Sequence, residues 1–369
     1  MFVILPDLIC RDCATVRPVD IAGWRCGCDG LFDVAPPGPR LDLGGAASAR
    51  NSLWRYQSVL PVAFDPTVSL GEGGTPLVAS ALTNVRLKLD FLMPTLSFKD
   101  RGAAVLGTLA RRLGVGAAVV DSSGNAGTAA AAYLARAGVP CRVYVPADTA
   151  APKLAQMRAH GAEVVAAGTR AEAAAAAQAA AEAPGMFYAS HVFHPYFLHG
   201  VKTYGYELWE QCGHTLPATV VVPVGNGTLL LGCALAFGEL VAAGLADRMP
   251  TLVAVQAADC APIAAAFRSG SAPAVAPTGS TVAEGIAIAA PPRGDQILAA
   301  VRAGGGVVVT VDDAEILAAR TELAEQGLFV EPTAAVCWAA VRNRASTVPA
   351  LGGDDVVVPL CGAGLKHPE

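Results

Sequence analysis

From about residue 113 the chain repeats one pattern: a short run of strand-forming residues, a turn of small residues, then an alanine-rich run of helical length. The strand-like runs fall at Ala117–Asp121, Cys141–Val145, 163–167 and 186–189, the helical ones at 126–137, 151–160 and 171–183. Parallel strands need a long crossover between them, and a helix fills it, so the alternation predicts βαβ units in a sheet covered by helices on both faces. A second set follows, with strands at Thr219–Pro223, 251–256, 306–311 and 356–360 and helices at 229–243 and 313–326. The expected fold class is α/β, with two doubly wound, mostly parallel sheets and a crevice between them. Open sheets of this kind bind ligands at the carboxyl ends of their strands. The tract 171–183 resembles low complexity in composition, but its length and spacing suit one surface helix.

A chain of 369 residues has room for two ordinary domains and an appendage. We expect a cysteine ribbon over 1–38, a large cofactor domain built from 39–110 and 201–369, and a small mobile domain over 111–200. Hydrophobic residues reach 53% and mean hydropathy is +0.45. Much of this is alanine, however, and no uninterrupted strongly apolar run has transmembrane length, so the chain reads as soluble with no membrane partner. A net charge of −5 gives no positive field for nucleic acid or an anionic membrane. The apolar start, 1–9, carries Pro6 and Asp7 and lacks a basic leader, unlike a signal peptide. With cysteines that read as ligands or scattered core residues, the expected location is cytoplasmic. The natural partner is a small molecule or a second copy of the chain.

Cys10-x-x-Cys13 and Cys26-x-Cys28 bracket a short polar stretch, and two such knuckles are able to converge on one tetrahedral zinc ion. A disulfide pair and a ribbon that no longer binds metal are the alternatives, the C-x-C knuckle being less usual than C-x-x-C. Pro36-Pro37-Gly38-Pro39 closes the appendage as a stiff linker.

Three motifs carry candidate chemistry. Lys99, in Pro94-Thr95-Leu96-Ser97-Phe98-Lys99-Asp100-Arg101-Gly102, stands between bulky apolar neighbours and a helix-forming stretch. Desolvation there favours the neutral amine, a nucleophile toward an aldehyde, although most lysines followed by Asp-Arg are solvated helix residues. The strand Val221–Val224 ends in Gly225-Asn226-Gly227-Thr228 before a helix, a turn whose backbone N–H groups form a phosphate nest. It lacks the lysine of a P-loop and the spacing of a dinucleotide site, and a small phosphate monoester fits it better. An ordinary glycine-rich βα turn is the alternative. Ser122-Ser123-Gly124-Asn125-Ala126-Gly127 repeats that geometry and would grip a carboxylate, with the Asn125 amide suited to a phenolic oxygen; a plain helix cap explains it as well.

A reactive lysine, a phosphate nest and a carboxylate nest together describe a site for pyridoxal phosphate and an amino acid. Here the chain resembles the fold-type II pyridoxal-phosphate enzymes, which share the architecture of the tryptophan synthase β chain, and within them the threonine synthase family and its paralogues. The resemblance covers nearly the whole chain: the cysteine ribbon, Gly71-Glu72-Gly73-Gly74-Thr75-Pro76-Leu77, the Ser-Phe-Lys-Asp-Arg-Gly run, the Ser-Gly-Asn loop, the glycine turn, Val330-Glu331-Pro332-Thr333 and Gly362-Ala363-Gly364-Leu365-Lys366. It implies that Lys99 holds the cofactor covalently and, when released, moves protons at the substrate Cα and beyond. It assigns the cofactor 3-hydroxyl to Asn125, the phosphate to Gly225, Asn226, Gly227 and Thr228, and the pyridine nitrogen to Cys361. The substrate falls to Ser122, Ser123, Gly124, Asn125 and Ala126. Glu284 occupies the place of the acidic Ala-Asp/Glu-Gly loop near the cofactor in amino-acid dehydratases, although a structural carboxylate fits too. Cys361 alternatively reads as a small core residue. The implied activity is elimination or replacement of a β- or γ-substituent on a small amino acid, by a homodimer. Threonine synthase proper, acting on O-phosphohomoserine, and a serine/threonine dehydratase-type ammonia-lyase are alternatives, and Lys99 with both nests argues against a non-catalytic cofactor-binding protein.

Leu96 stands where threonine synthases usually have glycine, Ala363 where they have histidine, and Phe197 where an arginine is usual. The last departure removes a bidentate contact to a substrate phosphate, worth on the order of 1.5–3 kcal/mol. His194 and Lys202-Thr203 are the candidates to replace it. His191, His194 and His199 fit no compact metal site and are expected as loop residues of the cleft.

Overall fold

The computed structural model describes residues 5–35, 41, 43, 50–149, 151–275 and 279–367; the linker expected at 36–39 lies outside them. In chain order, three short strands, β1 (Leu8–Cys10), β2 (Val16–Arg17) and β3 (Phe32–Val34), precede a 3-10 segment at Leu53–Val59 and the hairpin of β4 (Leu77–Ala79) and β5 (Val85–Lys88). Helix α1 (Lys99–Arg112) leads into β6 (Ala117–Asp121), α2 (Asn125–Ala137), β7 (Cys141–Val145), α3 (Ala151–Ala159), β8 (Glu163–Ala166), α4 (Arg170–Ala181) and β9 (Met186–Tyr188). Then come α5 (Pro195–Val201), α6 (Thr203–Gln211), β10 (Thr219–Pro223), α7 (Thr228–Ala242), β11 (Thr251–Ala257) and α8 (Pro262–Ser269). The chain closes with α9 (Gly294–Ala303), β12 (Val307–Val311), α10 (Asp313–Glu325), α11 (Pro332–Arg344) and β13 (Val356–Pro359).

These elements form two compact units, one from the described residues of Met1–Gly74 with Lys99–Val201, the other from Thr75–Phe98 with Lys202–Glu369. The segment 39–110 therefore contributes to both units.

In the first unit the order β8-β7-β6-β9 makes a sheet that is parallel throughout. Val119, Val120, Val143 and Val145 are buried, as a sheet covered on both faces requires. Helix α4 shows how an alanine-rich tract is placed. Thr169 and Glu172 close a capping box at its start. Ala173, Ala177 and Ala181, four residues apart and so on one face, pack with Val119, Tyr144 and Tyr188, while Ala175 and Ala179 stay exposed. The ribbon is an antiparallel set, β2-β1-β3, with Leu8 and Phe32 buried, and its Trp24 and Leu31 join the cluster beneath α4.

In the second unit the order is β12-β11-β10-β13-β5-β4, parallel except for the antiparallel edge strand β4. Every residue of β10 and β13 is buried, which matches their near-continuous valine runs. Helix α11 is buried from Pro332 to Val341, with no polar face there, and it packs on β10, β11, β12 and α10. Lys88 on β5 is fully buried yet satisfied, its Nζ reaching Thr75 O at 2.6 Å, Glu207 Oε2 at 2.7 Å and Gln211 Oε1 at 2.9 Å. Both units thus present loops at the carboxyl ends of parallel strands: the Ser122 loop after β6 in the first, the glycine turn after β10 and the Cys361 loop after β13 in the second.

Candidate active site

Lys99 is the first residue of α1, and its Nζ lies 5.7 Å from the centroid of the Phe197 ring. Phe197, on α5, is 2% exposed. The two helices meet at Gly102, where a Cβ would fall 2.5 Å from three atoms of that ring, so only glycine admits Phe197 there. His191 stands edge-on to the same ring at 5.9 Å. Burial, and after it the charges of Lys99 and Arg170, hold its imidazole well below the usual histidine pKa, and it is neutral. The structure thus brings Lys99, Phe197 and His191 together. His199 lies within α5 and not in a loop, whereas His191 sits in the turn at 191–193 and joins the packing around Lys99. Burial drives this arrangement, and the sequence signal for it was no more than a cluster of aromatic and histidine residues.

Ser122, Ser123, Gly124 and Asn125 are half-buried between β6 and α2, and Ala126 is buried in the first turn of the helix. Gly124 is the helix N-cap and carries no side chain to cap the first turn of α2. Gly124 N donates to Ser122 Oγ at 3.3 Å. Asp121, immediately before this loop, was not singled out from sequence. Burial pushes its carboxyl up to about 6, against the opposing pulls of Tyr188 and Arg170.

In the second unit, Gly227 caps α7 in the left-handed region with φ 73°, and a Cβ on it would meet Ile297 Cδ1 at 2.3 Å. A Cβ on Gly225 would fall 2.8 Å from Ile286 Cα. The turn Gly225-Asn226-Gly227-Thr228 therefore lies directly against the 3-10 segment Glu284–Ile286, at the start of a helix. Gly285 N donates to Thr333 Oγ1 at 3.2 Å, which joins that segment to the start of α11. Glu284 itself is exposed, 3.7 Å from His367 Nε2.

Cys361 follows β13 and is 2% exposed. Around it the short motifs meet: Phe98 N donates to Cys361 O at 3.0 Å, Ala363 N to Leu96 O at 3.1 Å, Glu331 N to Gly362 O at 3.1 Å and Lys366 Nζ to Thr95 O at 2.6 Å. Leu96 adopts φ 66°, the left-handed conformation in which glycine is at ease. Cys337 of α11 neighbours Cys361, its thiol pushed well above the usual value by burial and then by Cys361.

Of His194, Lys202 and Thr203, the candidates to replace an arginine at 197, the first two have neighbours of their own. Lys202 Nζ is held by Glu239 Oε1 and Oε2 at 2.9 and 3.0 Å. His194 Nδ1 accepts from Tyr196 N at 3.3 Å, and its ring packs on Phe187 and Tyr196.

In the ribbon, the ligand atoms of Cys10, Cys13, Cys26 and Cys28 all lie within 4.8 Å of one another. The separations Cys10–Cys28 and Cys13–Cys26 are 3.5 and 3.6 Å. Four sulfurs about 2.3 Å from one zinc ion lie about 3.8 Å apart, so the free thiols fit a tetrahedral ion. Hydrogen bonding with Thr15 lowers the Cys13 thiol to about 6.

The family model for pyridoxal-phosphate dependent enzymes matches residues 68–362. The threonine synthase of Methanosarcina acetivorans is 34% identical, over 98% of this chain and 92% of its own. That of Synechocystis sp. is 36% identical, over 90% and 87%. Among solved structures, the T.th. threonine deaminase shares 28% identity and a TM-score of 0.68, covering 78% of this chain and 92% of its own. Maize serine racemase, at 22% identity and a TM-score of 0.68 over 79% of this chain and 88% of its own, shares the fold.

Proposed function

This chain belongs to the pyridoxal-phosphate-dependent enzyme family, and on that premise we propose that it eliminates or replaces the β-substituent of a small, unphosphorylated amino acid. The observation that carries the site is the setting of Lys99, which stands at the start of α1 with its Nζ 5.7 Å from the Phe197 ring centroid and with a neutral His191 edge-on to that ring. In the second unit the Gly225–Thr228 turn at the start of α7 would hold the cofactor phosphate and Cys361 would face its pyridine nitrogen; in the first, Asn125 would bond its 3-hydroxyl and Lys99 would take its aldehyde carbon. Glu284 would lie near the cofactor phosphate, since Gly285 and Ile286 of its own segment pack against Gly225.

When bound, pyridoxal phosphate supplies an electron sink for charge that develops on the substrate Cα. A cysteine at 361, in place of a carboxylate, suits a weaker sink and so elimination over transamination. The first amides of α2, with Ser122, Ser123, Gly124, Asn125 and Ala126 around them, bind and orient the substrate carboxylate. Lys99 Nζ takes the proton from Cα and returns it to the product carbon; its apolar neighbour Phe197 excludes water from that transfer. Phosphate recognition is disfavoured because Phe197 has no guanidinium, Lys202 is bound to Glu239 and His194 is packed away.

The second reading is threonine synthase proper, favoured by the 34% identity to the Methanosarcina acetivorans enzyme over nearly the whole chain. Product analysis with phosphohomoserine, serine, threonine, phosphoserine and O-acetylserine, offered separately, decides between them by kcat/KM. We expect the unphosphorylated substrates to lead. A strong preference for phosphohomoserine with threonine as product establishes the second reading.

The cysteine ribbon is read as a structural zinc site, its four thiolates leaving no open position for chemistry. Among the described residues no helix is long and apolar enough to cross a membrane. The family resemblance extends the reading to a cytoplasmic homodimer.

A further inference from the structure

The ribbon touches the segment around Lys99 through Trp24 and Pro6. Its strands are two or three residues long, and its buried apolar side chains include Leu8, Val19 and Phe32, too few to hold so small a module by themselves. Four-thiolate metal binding would supply folding free energy to it. Trp24, two residues before Cys26, carries that order outward. Its indole is edge-on to Tyr188 at 5.0 Å and to Phe193 at 5.2 Å, and the Arg25 guanidinium sits 5.7 Å over the Phe193 ring. Tyr196 Oη adds a 2.9 Å hydrogen bond to Pro6 O, just ahead of β1. Tyr188, Phe193 and Tyr196 belong to the segment that holds His191 and Phe197 around Lys99.

We propose that Trp24 is a positioning residue, through which the metal state of the ribbon orders residues 188–197 beside Lys99. The proposal rests on the ribbon holding zinc and on Lys99 being the reactive lysine. With the ion in place, the Cys26–Cys28 knuckle holds Trp24 against Tyr188 and Phe193, and α5 is pinned with Phe197 on Gly102. Without it the knuckle loosens, Trp24 withdraws, and the ring that fronts Lys99 loses its fixed place.

The test uses the full-length holoenzyme in five forms: wild type and Trp24→Ala, each with its zinc and stripped of it by a chelator, and Trp24→Phe. The readouts are zinc content, amide hydrogen exchange of residues 188–197, visible circular dichroism of the bound cofactor, and kcat and KM separately. Trp24→Ala should keep one zinc per chain yet match the stripped wild type, with exchange in 188–197 faster and kcat lower by about fivefold, the low end of what two lost edge-on aromatic pairs amount to. Stripping zinc from Trp24→Ala should add nothing further, and Trp24→Phe should restore most of the loss. Unchanged exchange in 188–197 on zinc removal, or an unchanged Trp24→Ala, overturns the proposal. A fault in the Lys99 reading shows itself separately, as missing visible dichroism, while hydrogen exchange still decides the role of Trp24.

Discussion

Asp121→Asn should stabilise the protein at neutral pH and do so less in acid. The Asp121 carboxyl ends β6 just before the Ser122 loop, and burial, opposed by Tyr188 and Arg170, raises its pKa from an ordinary value near 3.8 to about 6. Because the folded chain holds this proton more tightly than the unfolded one, the resulting stability is fully present below about 3.8 and is lost as pH rises through about 6. A gap of about two pH units corresponds to about 3 kcal/mol at most, at about 1.36 kcal/mol per unit. Asparagine keeps the shape and cannot ionise. Between pH 4.5 and pH 7.5 the advantage of Asp121→Asn over wild type should therefore grow by about 2 kcal/mol. Urea unfolding of both proteins across that range, followed through the transition of the first unit, measures it. An advantage that is constant with pH, or that shrinks toward neutrality, refutes the argument that burial dominates this carboxyl.

Leu96→Gly should be more stable than Leu96→Ala by about 1 kcal/mol, reversing their usual order, because both remove the same side chain and only glycine relieves φ 66°; urea midpoints decide, and the usual order rules out strain at this position. Phe197→Arg should raise the kcat/KM ratio of phosphohomoserine to O-acetylserine while costing about 3 kcal/mol of stability, since the ring that fills the space over Gly102 is lost. An unchanged ratio in a folded variant would mean that the missing guanidinium does not set substrate choice.

The alternation of valine runs and alanine tracts located most of both sheets, and the strand Ala117–Asp121 coincides with β6, since strands buried on two faces write themselves into composition. Helices α5 and α11 were not visible in the same way. Residues 332–341 are buried all round, so no amphipathic period marks α11, and α5 is a short helix made by Phe197 packing over Gly102, a contact across 95 positions of sequence. The motifs themselves were legible as motifs. That Leu96, Glu331 and Gly362 adjoin one another was not, because backbone hydrogen bonds between distant segments join them and no side-chain pattern records such bonds.

The central claim is that Lys99 is the cofactor lysine, and reduction with borohydride tests it most directly. The protein supplied with pyridoxal 5'-phosphate should be yellow, and borohydride should bleach the colour and leave the reduced cofactor on the peptide that contains Lys99. Lys99→Ala should show neither the colour nor the adduct. An adduct on Lys88, Lys153, Lys202 or Lys366, or a wild-type protein that takes up no cofactor, contradicts the account.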